Sequence, residues 1–139
     1  MSRGREGSKG ITVQKEGFYG GPEPRPNDKH ELKGLPTYGK NQFPDEDVLE
    51  MRHLVLDYIE KATKLGLTIT ETVGVGIGWD KWEMRKRFLK SEPFQLFRAF
   101  KYSKCEGVES CGIGEHSDFS FLAILSRNEP GVSWDSIMV

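Results

Sequence analysis

The sequence is poor in cysteine, in long apolar runs and in surplus charge, and each shortage removes a class of protein. Two cysteines, Cys105 and Cys111, among 139 residues are too few for a disulfide scaffold and fit a reducing compartment. Twenty Lys and Arg against twenty-one Asp and Glu leave a formal charge of -1, so no global positive field draws in nucleic acid or an anionic membrane. No apolar stretch approaches the roughly 20 residues that a bilayer span needs. Residues 1–10, MSRGREGSKG, lack the apolar centre of a secretory signal. Together these shortages predict a soluble, cytoplasmic protein with no nucleic-acid and no membrane partner. The hydrophobic share of 36% still permits a packed core, and the length suits about one domain.

Composition divides the chain into residues 1–44, 45–92 and 93–139. The first segment holds eight of the sixteen glycines and five of the seven prolines, a loop composition, because glycine permits unusual backbone angles and proline resists helix interiors. It reads as a disordered tail or as an arm that wraps a body and buries Phe18, Tyr19, Leu35, Tyr38 and Phe43. In the second segment Pro44, Asp45, Glu46 and Asp47 predict a helix start, since proline suits the first turn and carboxylates favour the positive end of the dipole. Val48, Met51, Val55, Ile59, Ala62, Ile69 and Val73 follow at helical spacing, and Gly74, Gly76 and Gly78 predict a terminus. GVGIG lacks the spacing and the preceding strand of a nucleotide loop. A second, basic helix is expected near residues 80–89, its Lys81, Arg85, Lys86 and Arg87 forming a solvated face. The third segment offers two strand candidates, FQLFRAFKY at 94–102, as between two packed layers, and SFLAIL at 120–125.

The candidate chemistry is His116-Ser117-Asp118. Residues two apart on an extended backbone project to one side, with Cα atoms roughly 6–7 Å apart, so an imidazole and a carboxylate converge on one cation. That pair is two-thirds of the 2-His-1-carboxylate face of non-haem Fe(II) oxygenases. Alone the motif is weak: with three His and seven Asp, chance supplies it in roughly 15% of such chains, and a surface turn capped by Asp118 is the plain alternative.

Its surroundings are more specific. GIGEHSDFSFLAIL at 112–125 resembles the G-x-G-x-H-[ST]-D and following apolar strand of the isopenicillin N synthase-like Fe(II)/2-oxoglutarate-dependent oxygenases. KEGFY at 15–19 and GKNQFP at 39–44 are similar to the KEGF(Y) and GPNQWP segments of that family's helical N-terminal region, in the same order. The resemblance implies an oxidoreductase that uses Fe(II), O2 and 2-oxoglutarate to oxidise a small organic substrate. It makes His116 and Asp118 the first two iron ligands. It aligns Tyr102 with a tyrosine that contacts the carboxylate of co-substrate or substrate, although Ser103 stands where the family has proline. An ordinary strand aromatic is the other reading of Tyr102.

The departures are equally specific. The family takes its third ligand from a distal histidine, followed by an R-x-S pair that holds the oxoacid. No histidine follows Asp118, and Arg127 lies outside any R-x-S pattern. His30 and His53 read as surface or packing residues. The residues for most of the roughly eight strands of a jelly roll are missing. The expected fold is therefore α+β: a helical N-terminal region followed by the first strands of an incomplete double-stranded β-helix. Residues 1–44 would be the arm of the non-haem dioxygenase N-terminal region, 45–92 its helical part and 93–139 a partial jelly roll, as in a truncated member. Two ligands predict weak iron binding and an inactive or incomplete enzyme, with a second polypeptide as a candidate partner completing the barrel. The alternatives are a non-catalytic interaction fragment, a degenerate gene product, or a zinc site from Cys105, Cys111, His116 and Asp118, whose spacing departs from usual zinc patterns.

Overall fold

The structure, a computed structural model, describes residues 15–89, 93–102 and 120–126. Along the chain come strand β1 (Lys15–Gly20), the single-turn helix α1 (Lys29–Leu32), the long helix α2 (Met51–Gly76), a π-helical segment Arg85–Leu89 and strand β2 (Phe97–Tyr102). The described residues are thus α+β, with one two-stranded sheet.

Helix α2 takes up the strongest periodic stretch but begins at Met51, not at Pro44. The Pro44 carbonyl accepts from Asp47 N–H at 3.1 Å and Val48 N–H at 2.9 Å, closing an isolated turn. The Asp45 carboxylate, expected to serve the helix dipole, instead takes the Arg52 guanidinium, with Nη2 to Oδ2 at 2.6 Å. The far end is a full glycine stop. Gly78 adopts φ +83°, its N–H donates to Val75 O at 3.0 Å, and Trp79 N–H reaches back to Gly74 O at 3.0 Å. That pairing satisfies carbonyls the helix leaves open, and only a residue without Cβ adopts the angle without cost.

The inward face of α2 is chosen by closeness of approach more than by hydrophobicity. Ile59, Thr70 and Gly74 are buried, whereas Val73, which shares the helical spacing of Ile59, is 47% exposed, and Val48, just before the helix, is 49% exposed. At Gly66 the open position is met by Leu122 and Ile124, 3.5 and 3.9 Å from where a Cβ would stand, and at Gly74 by Met84 Cβ at 3.3 Å. Thr70, 2% exposed, turns its hydroxyl back to Gly66 O at 2.8 Å, so its burial leaves no polar atom unsatisfied. Residues 120–126 form no strand. They lie against this face through side chains, and Phe121 stacks on Phe88 at 5.8 Å.

The basic stretch begins as a turn, with Asp80 Oδ1 accepting from Trp82 N–H at 3.0 Å, and widens into the π-helical segment. Lys81 and Arg85 both lie 3.5 Å from the Glu71 carboxylate, and Arg87 donates to Glu83 at 2.6 Å. Three of its four cations thus share two neighbouring carboxylates.

The arm is not loop throughout: Lys15–Gly20 forms β1 and pairs antiparallel with β2, Lys15 opposite Tyr102 and Gly20 opposite Phe97. Residues 15–20 had shown no strand signal because two of the six are glycine. Gly17 is required there, since a Cβ would stand 2.7 Å from Phe100 Cε1 and 2.8 Å from Ala99 O. Strand β2 begins at Phe97, three residues later than its apolar run, and four of its six residues are exposed, so the described residues do not pack both of its faces. Of the five apolar groups expected to be buried, Phe18 and Phe43 stack at 5.0 Å and are half-buried, while Tyr19, Leu35 and Tyr38 remain exposed. Among the described residues the buried hydrophobic side chains are Ile59 and Met84. No helix among them is long and apolar enough to cross a membrane.

Candidate metal centre

Tyr102 is the last residue of β2, opposite Lys15 and 42% exposed. A chain of edge-on rings braces it: Tyr102 meets Phe100 at 6.1 Å, and Phe100 meets Tyr19 at 5.3 Å across the sheet. The ring is thus packed against its strand neighbour on one side and open on the other. His116 and Asp118 lie outside the described residues, as do Ser103, Cys105, Cys111 and Arg127.

The two other histidines are placed, and neither stands in a donor cluster. His30 Nδ1 is 3.3 Å from Asp28 Oδ1, and its ring lies 4.7 Å from that of Tyr38. Asp28 also caps α1, accepting from His30 N–H at 2.8 Å and Glu31 N–H at 3.3 Å. The His30 backbone bond, foremost, holds the Asp28 carboxyl below the usual aspartate range. His53 sits exposed on α2. Among the described residues no group of three or more His, Cys, Asp or Glu could hold a metal ion.

The structure adds a scaffold that sequence reasoning missed. The Asn41 side chain accepts from Gly21 N–H at 2.9 Å and donates to Gly21 O at 2.8 Å, as a neighbouring strand would. Its amide also donates to Glu23 Oε1 at 3.0 Å, which accepts from Arg52 Nη1 at 2.8 Å. The Arg52 guanidinium lies 4.7 Å over the Phe43 ring, and Phe43 stacks on Phe18. Phe97 of β2 meets Phe18 at 6.4 Å and Tyr58 of α2 at 5.7 Å. This clamp ties arm, helix and sheet together, and so sets where β2 delivers Tyr102. Its signal was present in GKNQFP, where Asn41 and Phe43 are the residues that engage. The Arg52 hydrogen bond keeps the Asp45 carboxyl below its ordinary range, and Asp45 in turn raises Arg52.

With that geometry in place, comparison with known proteins gives one informative match. The chain is 31% identical over 152 aligned residues to a protein of Dictyostelium discoideum named "Probable iron/ascorbate oxidoreductase". The alignment covers 92% of this chain and 41% of that relative, so the chain spans less than half of the relative's length. No family model matches the chain, and no solved structure matches it.

The donor set can be tested against iron on its own chemistry. His116 and Asp118 offer one imidazole nitrogen and one carboxylate, suited to Fe(II), but a facial triad needs a third donor. His30 is engaged with Asp28 and Tyr38, and His53 lies on the exposed side of α2. The described residues therefore do not complete the triad.

Proposed function

We propose that this chain carries part of a non-haem iron oxygenase of the isopenicillin N synthase-like type, and that the 139-residue chain by itself has negligible turnover. The observation that carries the reading is the 31% identity across 92% of the chain to a protein named as an iron/ascorbate oxidoreductase. The G-x-G-x-H-S-D run at 112–118 supports it independently. In this reading His116 and Asp118 are two iron ligands. Bound Fe(II) would supply oxidation of a small organic substrate by O2 with 2-oxoglutarate as co-substrate. Tyr102, exposed at the end of β2, presents a phenol that can donate a hydrogen bond to a carboxylate of co-substrate or substrate.

Residues 1–44 and 45–92 then form the arm and helical part of the oxygenase N-terminal region, and 93–139 the beginning of a jelly roll in a cytoplasmic enzyme. Phe94 at 54% and Leu96 at 39% exposure, beside a sheet that has two strands among the described residues, favour completion by a second polypeptide. With two protein ligands the metal is held weakly and its geometry is loosely fixed, so the rate is limited by the missing donor. Succinate formation from 2-oxoglutarate with Fe(II) and ascorbate tests this. The expected result is no succinate above the level of a His116→Ala variant, with turnover appearing when a polypeptide bearing a distal histidine and R-x-S is added. Robust turnover by the chain alone contradicts the reading.

A further inference from the structure

The second half of α2 is a helix made of strand-type residues. Of the ten residues 67–76, LTITETVGVG, six are β-branched and two are glycine, types that favour helix poorly. They also alternate. Thr68, Thr70 and Thr72 stand at every second position, and Leu67, Ile69, Val73 and Val75 lie on the other set, the two-residue period of a half-buried strand. The first half differs: residues 51–65 contain no glycine and three β-branched residues. There the Asp57–Lys61 and Glu60–Lys64 pairs, at 2.7 and 2.5 Å, brace consecutive turns.

Thr63, Thr68, Thr70 and Thr72 each turn the hydroxyl to the carbonyl four residues back, at 2.7, 3.0, 2.8 and 2.9 Å, a bond that bends and slightly weakens a helix. Val73 and Val75 remain 47% and 55% exposed, so packing among the described residues returns little to them. What holds the segment comes from elsewhere in the chain: Leu122 and Ile124 at Gly66, Met84 at Gly74, and Lys81 and Arg85 at 3.5 Å from Glu71. Tertiary contact of this kind, more than propensity, sustains helices in proteins. LTITETV at 67–73 has one charge and neither proline nor glycine, the composition of a cross-β segment. In an extended chain that charge, Glu71, falls on the side of Leu67, Ile69, Val73 and Val75, where a carboxylate opposes stacking of like strands. We propose that residues 67–76 form a conditional helix, held by Leu122, Ile124 and Met84, which opens as a unit and turns to strand structure when those contacts leave. The run at 120–125 is its latch, and Glu71 delays the association of released strands.

Hydrogen exchange of the full chain, resolved by segment, tests the device. Amides of 67–76 should exchange at least about tenfold faster than those of 54–62. Leu122→Asp should widen that gap about tenfold further, whereas Leu125→Asp, at a residue 76% exposed and outside the Gly66 contact, should leave it unchanged. On incubation the Leu122→Asp chain should form thioflavin-binding fibres whose protected core is 67–76. Adding Glu71→Gln should shorten the lag, and adding Glu60→Gln should not. If Leu122→Asp loses helix throughout, the pair Thr68→Ala and Thr72→Ala, at exposed positions, carries the test in the otherwise unchanged chain. It should slow exchange of 67–76 by about tenfold and leave 54–62 as it was. Equal exchange along α2 in the unsubstituted chain, an alanine pair without effect on 67–76, or fibres absent or protected elsewhere would overturn the proposal.

Discussion

Two glycines of α2 and a third just past its end differ in what they require, according to their surroundings and their backbone angles. At Gly66 the nearest atom is Leu122 Cδ2 at 3.5 Å, an ordinary contact, so Gly66→Ala adds helix propensity without a clash. At Gly78 the backbone is left-handed, and any Cβ is strained. Gly66→Ala is therefore expected to stabilise by about 0.5–1 kcal/mol and Gly78→Ala to destabilise by about 1 kcal/mol, read as shifts of the urea midpoint in opposite directions. Gly74 lies between these cases, with Met84 Cβ at 3.3 Å. The glycine run at 74–78 was legible as a helix terminus because capping is local, decided by residues a few positions apart. The role of Gly66 was not legible, because its contacts come from residues 122 and 124, and no short window of sequence carries that pairing. Likewise His30 was readable as a surface or packing residue, but its partners Asp28 and Tyr38 were not.

Between elements, the fold depends on a polar clamp that local rules misassigned. Asp45 follows Pro44 as a first-turn carboxylate should, yet it accepts from Arg52 Nη2 at 2.6 Å and Nε at 3.1 Å, and the helix starts later. Propensity and dipole terms of a few tenths of a kcal/mol yield here to a two-pronged ion pair. The pH dependence follows from the direction of the shift. Asp45 binds its proton less readily in the folded state, so between the two pKa values the unfolded chain holds more protons and stability rises with pH. Its contribution is present above the ordinary aspartate range and is lost as pH falls through the lowered value. The melting temperature should thus decline below about pH 4, and Asp45→Asn should flatten that acid limb. Because Arg52 and Asp45 are solvent-accessible, molar salt should shrink the difference between the two proteins. An acid limb unchanged by Asp45→Asn contradicts the clamp. Strand β2 was legible from its aromatic run. Its partner β1 was not, since KEGFYG carries two glycines and finds its register only against residues far along the chain.

For the molecule as a whole, the sheet unites residues 15–20 with 97–102 and encloses α2 between its strands in sequence, an arrangement that the α+β expectation contained only in outline. The apolar run at 120–125 looked like a strand because composition reports burial tendency and not hydrogen-bond partners; here it packs through Leu122 and Ile124 onto α2. The candidate site was legible as residue types, through one H-x-D within a glycine-flanked block, while Tyr102 was legible only as an aromatic at a strand end. The brace of Tyr19 and Phe100 that holds Tyr102 needed the cross-strand register to be seen. The account rests on His116 and Asp118 sharing one cation, and Co(II) binding followed by visible absorption tests that most directly. It predicts one weakly held Co(II) per chain, lost in His116→Ala and in Asp118→Ala, with no thiolate charge-transfer band and no change when Cys105 and Cys111 are replaced by serine. Binding that survives both of the first two substitutions, or a thiolate band that vanishes with the cysteines, would contradict it.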